Sequence, residues 1–444
     1  MSGSNSRTKR LVGSKSDQRE PFQRDRDRLL YTQAFRRLSG VTQVARAEES
    51  YVYHDRLSHS LKVGQIGRRL AEYLPEKSDS EIKHGLEVDE DVVETAALAH
   101  DIGHPPFGHI AEKELDRKVR AEGVDEGFEG NAQSFRIVTN VAPHNDTDSG
   151  LNLTLATLNA ILKYPWMRAG KSKGTNRWGV DEHQKWGAYE SERAHFEQAR
   201  ALERVEKRKS AEADIMDWAD DLAYAVHDAE DFYRSNILPL EQLLSGDTRE
   251  RSEFLEDVEE EKDISYSEGR EILEWLKNQG GECLQSPFKG TKKERRALDY
   301  LSSTLIERYV GKETGGVYLQ DHDDSENYLQ INEQLEKEVA LLKHMTVYYV
   351  ISDSALRAQQ RGQQKLISDL FDILYDAASP SMDEDPDIIP NPFREEVKSG
   401  LSSSQEVCRI VCDTITSMTE KQTVQMYERL TGRAPGSLRE RITY

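Results

Sequence analysis

Helical periodicity runs through most of this chain and restricts the folds open to it. Apolar residues recur every three to four positions along most of its 444 residues, whereas the alternation over four to eight positions that a strand requires is rare. In EDVVETAALAHD, residues 90–101, the apolar positions Val93, Ala96 and Ala97 share one helical face with His100. The pattern therefore predicts an all-α protein.

The length of the chain indicates more material than one hydrophobic core uses. A single core rarely grows beyond about 250–300 residues, so we expect a main helical core at residues 22–239 and an additional C-terminal helical lobe at residues 240–444. Residues 1–21 are polar and basic, which predicts a flexible N-terminal arm. The sequence holds no P-loop and no dinucleotide glycine fingerprint, so a glycine-rich loop is not its means of binding phosphates.

Charge and hydropathy restrict the partners of the chain. The net charge is −21, and residues 1–28 hold eight basic against four acidic residues, which leaves −25 on the remainder. Such a body repels a nucleic-acid backbone, although the basic arm could contact single-stranded nucleic acid weakly, or another subunit. No apolar run approaches the roughly 20 residues that cross a bilayer, and the N-terminus lacks the apolar section of a secretion signal. We therefore expect a cytoplasmic protein without a membrane segment.

Two histidines lie on apolar helical stripes, which directs them into the interior. His100 continues the stripe described above, and Asp101 follows it directly. In RLSHSLKVGQIGRRLAEYL, residues 56–74, His59 shares a face with three apolar residues. A lone histidine of this kind is usually a hydrogen-bonded core residue, so His59 becomes informative only together with other metal-binding or catalytic residues.

A third helical pattern gathers carboxylates. In IMDWADDLAYAVHDAEDFY, residues 215–233, one side carries Asp217, Asp220, Asp221, Tyr224 and Asp228. Carboxylates at i,i+4 repel each other, so this is either a solvated acidic face or a face that binds a cation. Two imidazoles with two carboxylates suit a divalent ion such as Mg, Mn, Fe, Co or Ni. The absence of cysteine from this set argues against structural zinc.

The segment HDIGHPPFGHIAEKELD, residues 100–116, holds three histidines and two prolines. His104 precedes Pro105, which favours an extended backbone. His109 and Glu112 lie three positions apart at the start of a predicted helix, where the carboxylate can orient the imidazole and raise its basicity. An ordinary surface ion pair is the alternative. The segment therefore predicts a turn that presents side chains for chemistry.

The spacing of His59, the His100–Asp101 doublet and Asp220 resembles the metal-binding pattern of the HD-domain phosphohydrolases. Over most of its length the chain also resembles the bacterial deoxyguanosine triphosphate triphosphohydrolases (dGTPases) and their vertebrate relatives. An HD doublet alone is a weak signal, whereas eight segments in family order are a strong one. These segments are RDRLLYTQAFRRLSGVTQV (26–44), DRLSHSLKVGQIGR (55–68), HDIGHPPFGHIAEKELD (100–116), GFEGNAQSFRIV (127–138), GLNLTLATLNAILKYPW (150–166), KWGAYESE (185–192), DWADDLAYAVHDAED (217–231) and, more weakly, DTITSMTEKQTVQMYERL (413–430).

The resemblance implies a role for each matching residue. The implied ligands of a divalent metal are His59, His100, Asp101 and Asp220. The implied catalytic residues are His104, His109 and Glu112. Arg56, Tyr224 and Asp228 match positions that contact phosphate and sugar, and Gln43 and Val44 match a pair that lies against the deoxyribose, where a 2′-hydroxyl is crowded.

Two positions depart from the family pattern. Gly130 stands where some relatives have a catalytic histidine, and Asp221 stands where the vertebrate relatives have a phosphate-binding lysine. The contacts to the triphosphate must therefore differ in detail, and Arg36, Arg37 and Lys113 are candidates for them.

The function implied by the resemblance is metal-dependent hydrolysis of dNTPs, with dGTP the expected substrate, to the deoxynucleoside and tripolyphosphate. The family also implies a homo-oligomer and a possible activating dNTP at a second site. Two alternatives stay open at this point: another HD-type nucleotide phosphohydrolase (a monophosphatase or phosphodiesterase), and a non-catalytic HD module that binds nucleotides or single-stranded DNA.

Overall fold

A computed structural model gives the fold of most of the chain. It describes residues 6–13, 18–43, 54–77, 86–143, 150–169, 183–246, 248–280, 284, 286–311, 315–321, 327–351, 354–379 and 386–433. Of the residues predicted to form the site, Val44 lies outside these ranges.

The described residues form helices almost throughout, which confirms the prediction of an all-α protein. The helices in the first half of the chain are α1 (Pro21–Leu30), α2 (Gln33–Arg37), α3 (Arg56–Lys77), α4 (Glu90–Ala99), α5 (His109–Ala121), α6 (Gly130–Arg136), α7 (Leu155–Ile161), α8 (Arg193–Arg200) and α9 (Ala211–Arg234). Those in the second half are α10 (Leu240–Leu244), α11 (Arg249–Glu261), α12 (Tyr266–Gly280), α13 (Lys292–Val310), α14 (Glu333–Thr346), α15 (Ser354–Ala378), α16 (Phe393–Ser399), α17 (Ser404–Thr416) and α18 (Glu420–Leu430).

One small sheet accompanies the helices of the described ranges. Strands β1 (Val317–Leu319) and β2 (Leu329–Ile331) pair antiparallel, with Val317 opposite Ile331. The sheet lies next to α9 and α3, and its short strands do not change the fold class.

Side-chain caps define where the helices of the site begin. Asp89 accepts hydrogen bonds from the backbone N–H groups of residues 91 and 92 at the start of α4, and Ser210 accepts one from Ala213 at the start of α9. These caps satisfy N–H groups that have no partner within the helix. Gly108 precedes α5 with a φ of +57°, a conformation that glycine adopts readily because it has no Cβ.

The largest of three apolar clusters among the described residues holds α3, α4 and α9 together. The stripe predicted on α4 is fully buried in it, since Val93, Ala96 and Ala97 have no exposed surface. Val63 and Leu70 of α3 are equally buried in the same cluster. This cluster continues through the helices of residues 240–350, so the apolar packing crosses residue 239, and the domain boundaries stay a prediction.

The second apolar cluster joins α5 to the C-terminal helices. Leu115 of α5 packs in it with Phe371 of α15 and Ile415 of α17. All three side chains are fully buried. Helix α5, which begins with His109, is therefore supported from the C-terminal end of the chain.

Residues 6–13 belong to the segment that we expected to be a flexible arm, and they contact the core. The Arg10 guanidinium donates to Asp25 Oδ1 at 2.5 Å and to the Asn152 carbonyl at 2.6 Å. Arg7 forms an ion pair with Glu212. This part of the basic arm is thus paired with acidic and carbonyl oxygens of the same chain.

Candidate active site and metal centre

The four residues predicted to bind a metal come together from three helices. His59 lies in the first turns of α3, His100 and Asp101 directly follow α4, and Asp220 lies in the middle of α9. His59 Nε2 is 2.9 Å from Asp220 Oδ1, and His100 Nε2 is 3.5 Å from both Asp101 Oδ1 and Asp220 Oδ1. His59, His100 and Asp101 offer ligand atoms that all lie within 4.8 Å of one another.

This donor set fits a divalent cation. His59, His100 and Asp101 are at most 4% exposed, and the two imidazole rings stand 5.6 Å apart at 60°. His100 Nδ1 lies 2.6 Å from the Ala97 carbonyl, which leaves Nε2 directed to the carboxylates. A metal-binding histidine is commonly oriented by a hydrogen bond from its second nitrogen in this way.

Opposite charges control protonation within the group. Burial by itself lowers the pKa of His100, but the carboxylates of Asp101 and Asp220 outweigh it and raise that pKa to about 9. Burial raises the pKa of Asp101, and the Arg56 guanidinium, 2.5 Å from its Oδ2, reverses this and holds the pKa well below the usual range. Asp101 is therefore ionised throughout the neutral pH range.

Lys163 is a site residue that sequence reasoning missed. It follows α7, and its Nζ donates to Asp220 Oδ2 and contacts Asp217 Oδ1, both at 2.7 Å. Burial raises the pKa of Asp220, but Lys163 and His100 overcome this and keep that pKa well below its usual range. The matching segment that ends in KYPW includes this lysine, but a single lysine in a sequence does not show which carboxylate it meets.

His109 and Glu112 form the predicted pair. His109 Nδ1 lies 2.7 Å from Glu112 Oε2, and the His109 side chain is 64% exposed while that of Glu112 is 9% exposed. Burial raises the pKa of Glu112, but the hydrogen bond with His109 and the charge of Lys185 hold that pKa well below its usual range. The carboxylate is thus ionised, and it orients an imidazole that solvent can reach.

Lys185 is the second residue that sequence reasoning missed. Its Nζ donates to Glu112 Oε1 at 2.9 Å and to Glu129 Oε1 at 3.0 Å. Glu129 is buried and also caps the start of α6. Lys185 therefore links the His109–Glu112 pair to a fixed carboxylate at a helix terminus.

His104 lies between the two groups. Its Nδ1 is 3.0 Å from Asp101 Oδ1, and its ring stands 5.5 Å from that of His109. Burial and the charge of Arg56 lower the pKa of His104 to about 4, so its imidazole is neutral at pH 7. A Cβ on Gly130 would lie 3.2 Å from this ring, and glycine at that departing position therefore leaves room for His104.

The residues predicted to contact substrate occupy different places. Tyr224 lines a cavity of about 570 Å³ together with Asp217, Asp221 and Lys343. Asp228 is buried, and burial and then the charge of Asp231 raise its pKa well above the usual range. Asp228 Oδ2 and Gln43 Oε1 are buried with no hydrogen-bond partner among the described residues.

The candidates for triphosphate contacts differ in their exposure. Arg37 is buried and donates to the carbonyls of Ile102, His104 and Met418, while Arg36 and Lys113 are exposed. Lys163 contacts Asp220, and Lys185 contacts Glu112. At the other departing position, Asp221 accepts a hydrogen bond from Lys343 Nζ at 2.6 Å.

The helices bring together a histidine, a His–Asp doublet and a distant aspartate. This arrangement defines a protein of the HD class. In agreement, residues 56–225 match the family model of the HD domain, and residues 329–429 match that of the phosphohydrolase-associated domain. In the described ranges, no helix is both long and apolar enough to span a membrane.

Curated relatives define the family more narrowly. A protein of Corynebacterium efficiens is 34% identical over 96% of this chain and 94% of its own length. A protein of Streptomyces coelicolor is 32% identical over 93% of each chain, and one of Vibrio vulnificus is 30% identical over 94% of each. All three carry the name deoxyguanosinetriphosphate triphosphohydrolase-like protein. The chain belongs to this dGTPase-like family of HD-domain phosphohydrolases, which confirms the resemblance.

Proposed function

We propose that the protein hydrolyses dNTPs at the α-phosphate, with dGTP the expected substrate, and releases the deoxynucleoside and tripolyphosphate. One observation carries the proposal: His59, His100, Asp101 and Asp220 lie together, and His104 lies between them and the His109–Glu112 pair, whose carboxylate is ionised and whose imidazole is exposed to solvent. The names of the relatives support the substrate class. A divalent cation held by His59, His100, Asp101 and Asp220 supplies Lewis-acid polarisation of a phosphoryl oxygen and lowers the pKa of water.

Three basic side chains near the predicted ligands favour binding of a polyphosphate there. Arg56 contacts Asp101, Lys163 contacts Asp220, and Lys185 contacts Glu112. Each side chain carries further N–H donors that can bind phosphate oxygens. A buried cation also attracts an anionic substrate more strongly than a cation in water does, because the local dielectric constant is lower.

The His109–Glu112 pair carries out the proton transfer of the reaction. The ionised Glu112 holds His109 through Nδ1 and stabilises the imidazolium that forms when His109 takes up a proton. His109 therefore exchanges a proton at the attacking water or at the departing 5′-oxygen, and the neutral His104 assists from the buried side. In this reaction water oxygen bonds to the α-phosphorus while the bond from that phosphorus to the 5′-oxygen breaks.

The sugar contacts are assigned to Gln43, Val44, Tyr224 and Asp228. Gln43 Oε1 is a buried acceptor, and Asp228, with its raised pKa, can donate as well as accept. Such groups suit a deoxyribose hydroxyl. Tyr224 contributes an aromatic wall on the same face of α9 as Asp220 and Asp228.

Hydrolysis in ¹⁸O-labelled water tests the proposal. Each of the four dNTPs, alone and in mixtures, is incubated with the metal-loaded protein. The products are separated, and their masses are determined by mass spectrometry. We expect the label in tripolyphosphate and none in the deoxynucleoside. A first product of dNMP with pyrophosphate, release of orthophosphate, or label at the 5′-hydroxyl would each assign another HD reaction. Absence of any product would assign a binding module.

A further inference from the structure

A second group of metal-binding side chains lies beside the first. His104, His109 and Glu112 offer ligand atoms that all lie within 4.8 Å of one another, the same limit that holds for His59, His100 and Asp101. The imidazole rings of the second group stand 5.5 Å apart and those of the first 5.6 Å. The imidazoles of the second group are therefore spaced like those of the first, and the group has a carboxylate of its own.

Asp101 connects the two groups. Its Oδ1 lies 3.5 Å from His100 Nε2 and 3.0 Å from His104 Nδ1. One carboxylate oxygen thus contacts an imidazole of each group. Carboxylates in this position bridge pairs of metal ions that are about 3.5–4 Å apart.

The composition of the second group selects the kind of ion. Two imidazoles and one carboxylate favour Mn, Fe, Co, Ni or Zn over Mg, which prefers oxygen ligands. The group is also more open, since His109 is 64% exposed. Lys185 places a positive charge 2.9 Å from Glu112, so we expect an ion there to bind more weakly and to exchange with solvent.

We propose that His104, His109 and Glu112 form a second, weaker divalent-metal site that takes a transition-metal ion and inhibits the protein when it is filled. Binding at this site stands on the geometry alone. The inhibition rests on the proposed function, because a histidine whose nitrogen holds an ion cannot exchange a proton there. Turnover is therefore expected to rise as transition metal fills the first site and to fall at higher concentrations.

Equilibrium dialysis of the full chain against Mn²⁺ tests the binding. After chelator treatment, metal analysis is expected to give two ions per chain with separate affinities. His109→Gln and Glu112→Gln are each expected to lower the affinity for the second Mn²⁺ ion by about tenfold or more. Neither substitution is expected to change the affinity for the first ion. Glu122→Gln, at the C-terminal end of the same helix, serves as the matched control and is expected to keep both ions. His109 is exposed, so His109→Gln tests the site even where Glu112→Gln fails to fold.

Electron paramagnetic resonance separates a built site from adventitious ions on this acidic chain. Two Mn²⁺ ions that share Asp101 are expected to show exchange coupling, which His109→Gln abolishes. One ion per chain at saturation would overturn the proposal. So would a second ion that is uncoupled or unaffected by His109→Gln, since it would then be an adventitious ion only.

Two patterns of turnover distinguish the two proposals. Two coupled ions without any hydrolysis would support the second metal site and reject the proposed function. Hydrolysis by a protein that binds a single ion would support the proposed function and reject the second metal site. Two coupled ions with turnover that only rises with Mn²⁺ would reject the inhibition.

Discussion

The predicted metal ligands (His59, His100, Asp101 and Asp220, here the ligand group) and the His109–Glu112 pair differ most in their surroundings. His59 is 3% exposed and stands among helices of the largest apolar cluster, whereas the side chain of His109 is 64% exposed at the first residue of α5. Helix α5 packs in the second cluster with the C-terminal helices. A deep, charge-balanced group can hold an ion in fixed geometry, and an open histidine can exchange protons with water.

Under the proposed function, this difference predicts that metal binding and proton transfer are separable parts of the site. Every carboxylate of the ligand group already has a cation beside it, with Arg56 on Asp101 and Lys163 on Asp220. Removing one member there leaves a buried charge without its partner, which is costly. Removing His109 leaves Glu112 with Lys185. We therefore expect substitutions in the two parts to fail in different ways.

The largest effect is expected from Asp220→Ala. Loss of this carboxylate should remove the ion of the first site and lower turnover by roughly 10⁴-fold or more, since residues that act as a unit fail together. It also leaves Lys163 with Asp217 as its remaining acidic contact at the site. Metal analysis and single-turnover kinetics measure both effects. Glu230→Ala, further along α9, is the control, and full metal occupancy in Asp220→Ala would remove Asp220 from the ligand group.

A smaller loss is expected from Glu112→Gln. Turnover should fall by about 10²–10⁴-fold, which is the usual contribution of a positioned proton-transfer group, while the ion of the first site stays bound. The same metal analysis and initial rates check this. If the first-site ion is lost as well, the two parts of the site are not separable and Glu112 has a structural role.

Tyr224→Ala tests the wall beside the ligand group. The ratio of turnover on dGTP to that on GTP is expected to fall by about tenfold, because one pocket contact discriminates by about 1–3 kcal/mol. Metal occupancy should not change. Equal rates on GTP and dGTP in the unsubstituted protein would reject the assignment of a deoxyribose pocket.

The last expected effect is on stability rather than on turnover, and it concerns pH and the buried side of α9. Burial raises the pKa of Asp214 from 3.8 to about 7, against the opposing charge of Lys209. A carboxyl group with a raised pKa in the folded state stabilises the fold below its unfolded pKa and loses that contribution as pH rises through the folded pKa. The free energy of unfolding, compared with that of Asp214→Asn, should therefore fall by about 1.4 kcal/mol per unit between about pH 4 and 7. Urea unfolding across this range measures it, and parallel pH curves for the two proteins would contradict it.

Local pattern predicted much of the candidate site. The stripes on α3 and α4 place His59 and His100 inside, and the i,i+3 spacing of His109 and Glu112 agrees with their 2.7 Å contact. The triphosphate contacts suggested for Arg36, Arg37 and Lys113 stay a prediction, and local pattern did not show that Arg37 is buried. The reason is that its guanidinium is occupied by backbone carbonyls from two distant segments.

Local sequence patterns were enough to predict the helical fold, the burial of His59 and His100, and the contact between His109 and Glu112. These features depend on spacing within a single helix, where a period of 3.6 residues determines which side chains share a face. The tertiary structure alone decided that Lys163 meets Asp220 across 57 positions, that Lys185 meets Glu112 across 73, and that α5 rests on the C-terminal helices. Such contacts depend on the packing of whole helices, which is the sum of many weak and mutually dependent apolar contacts, and no local pattern in the chain records that sum.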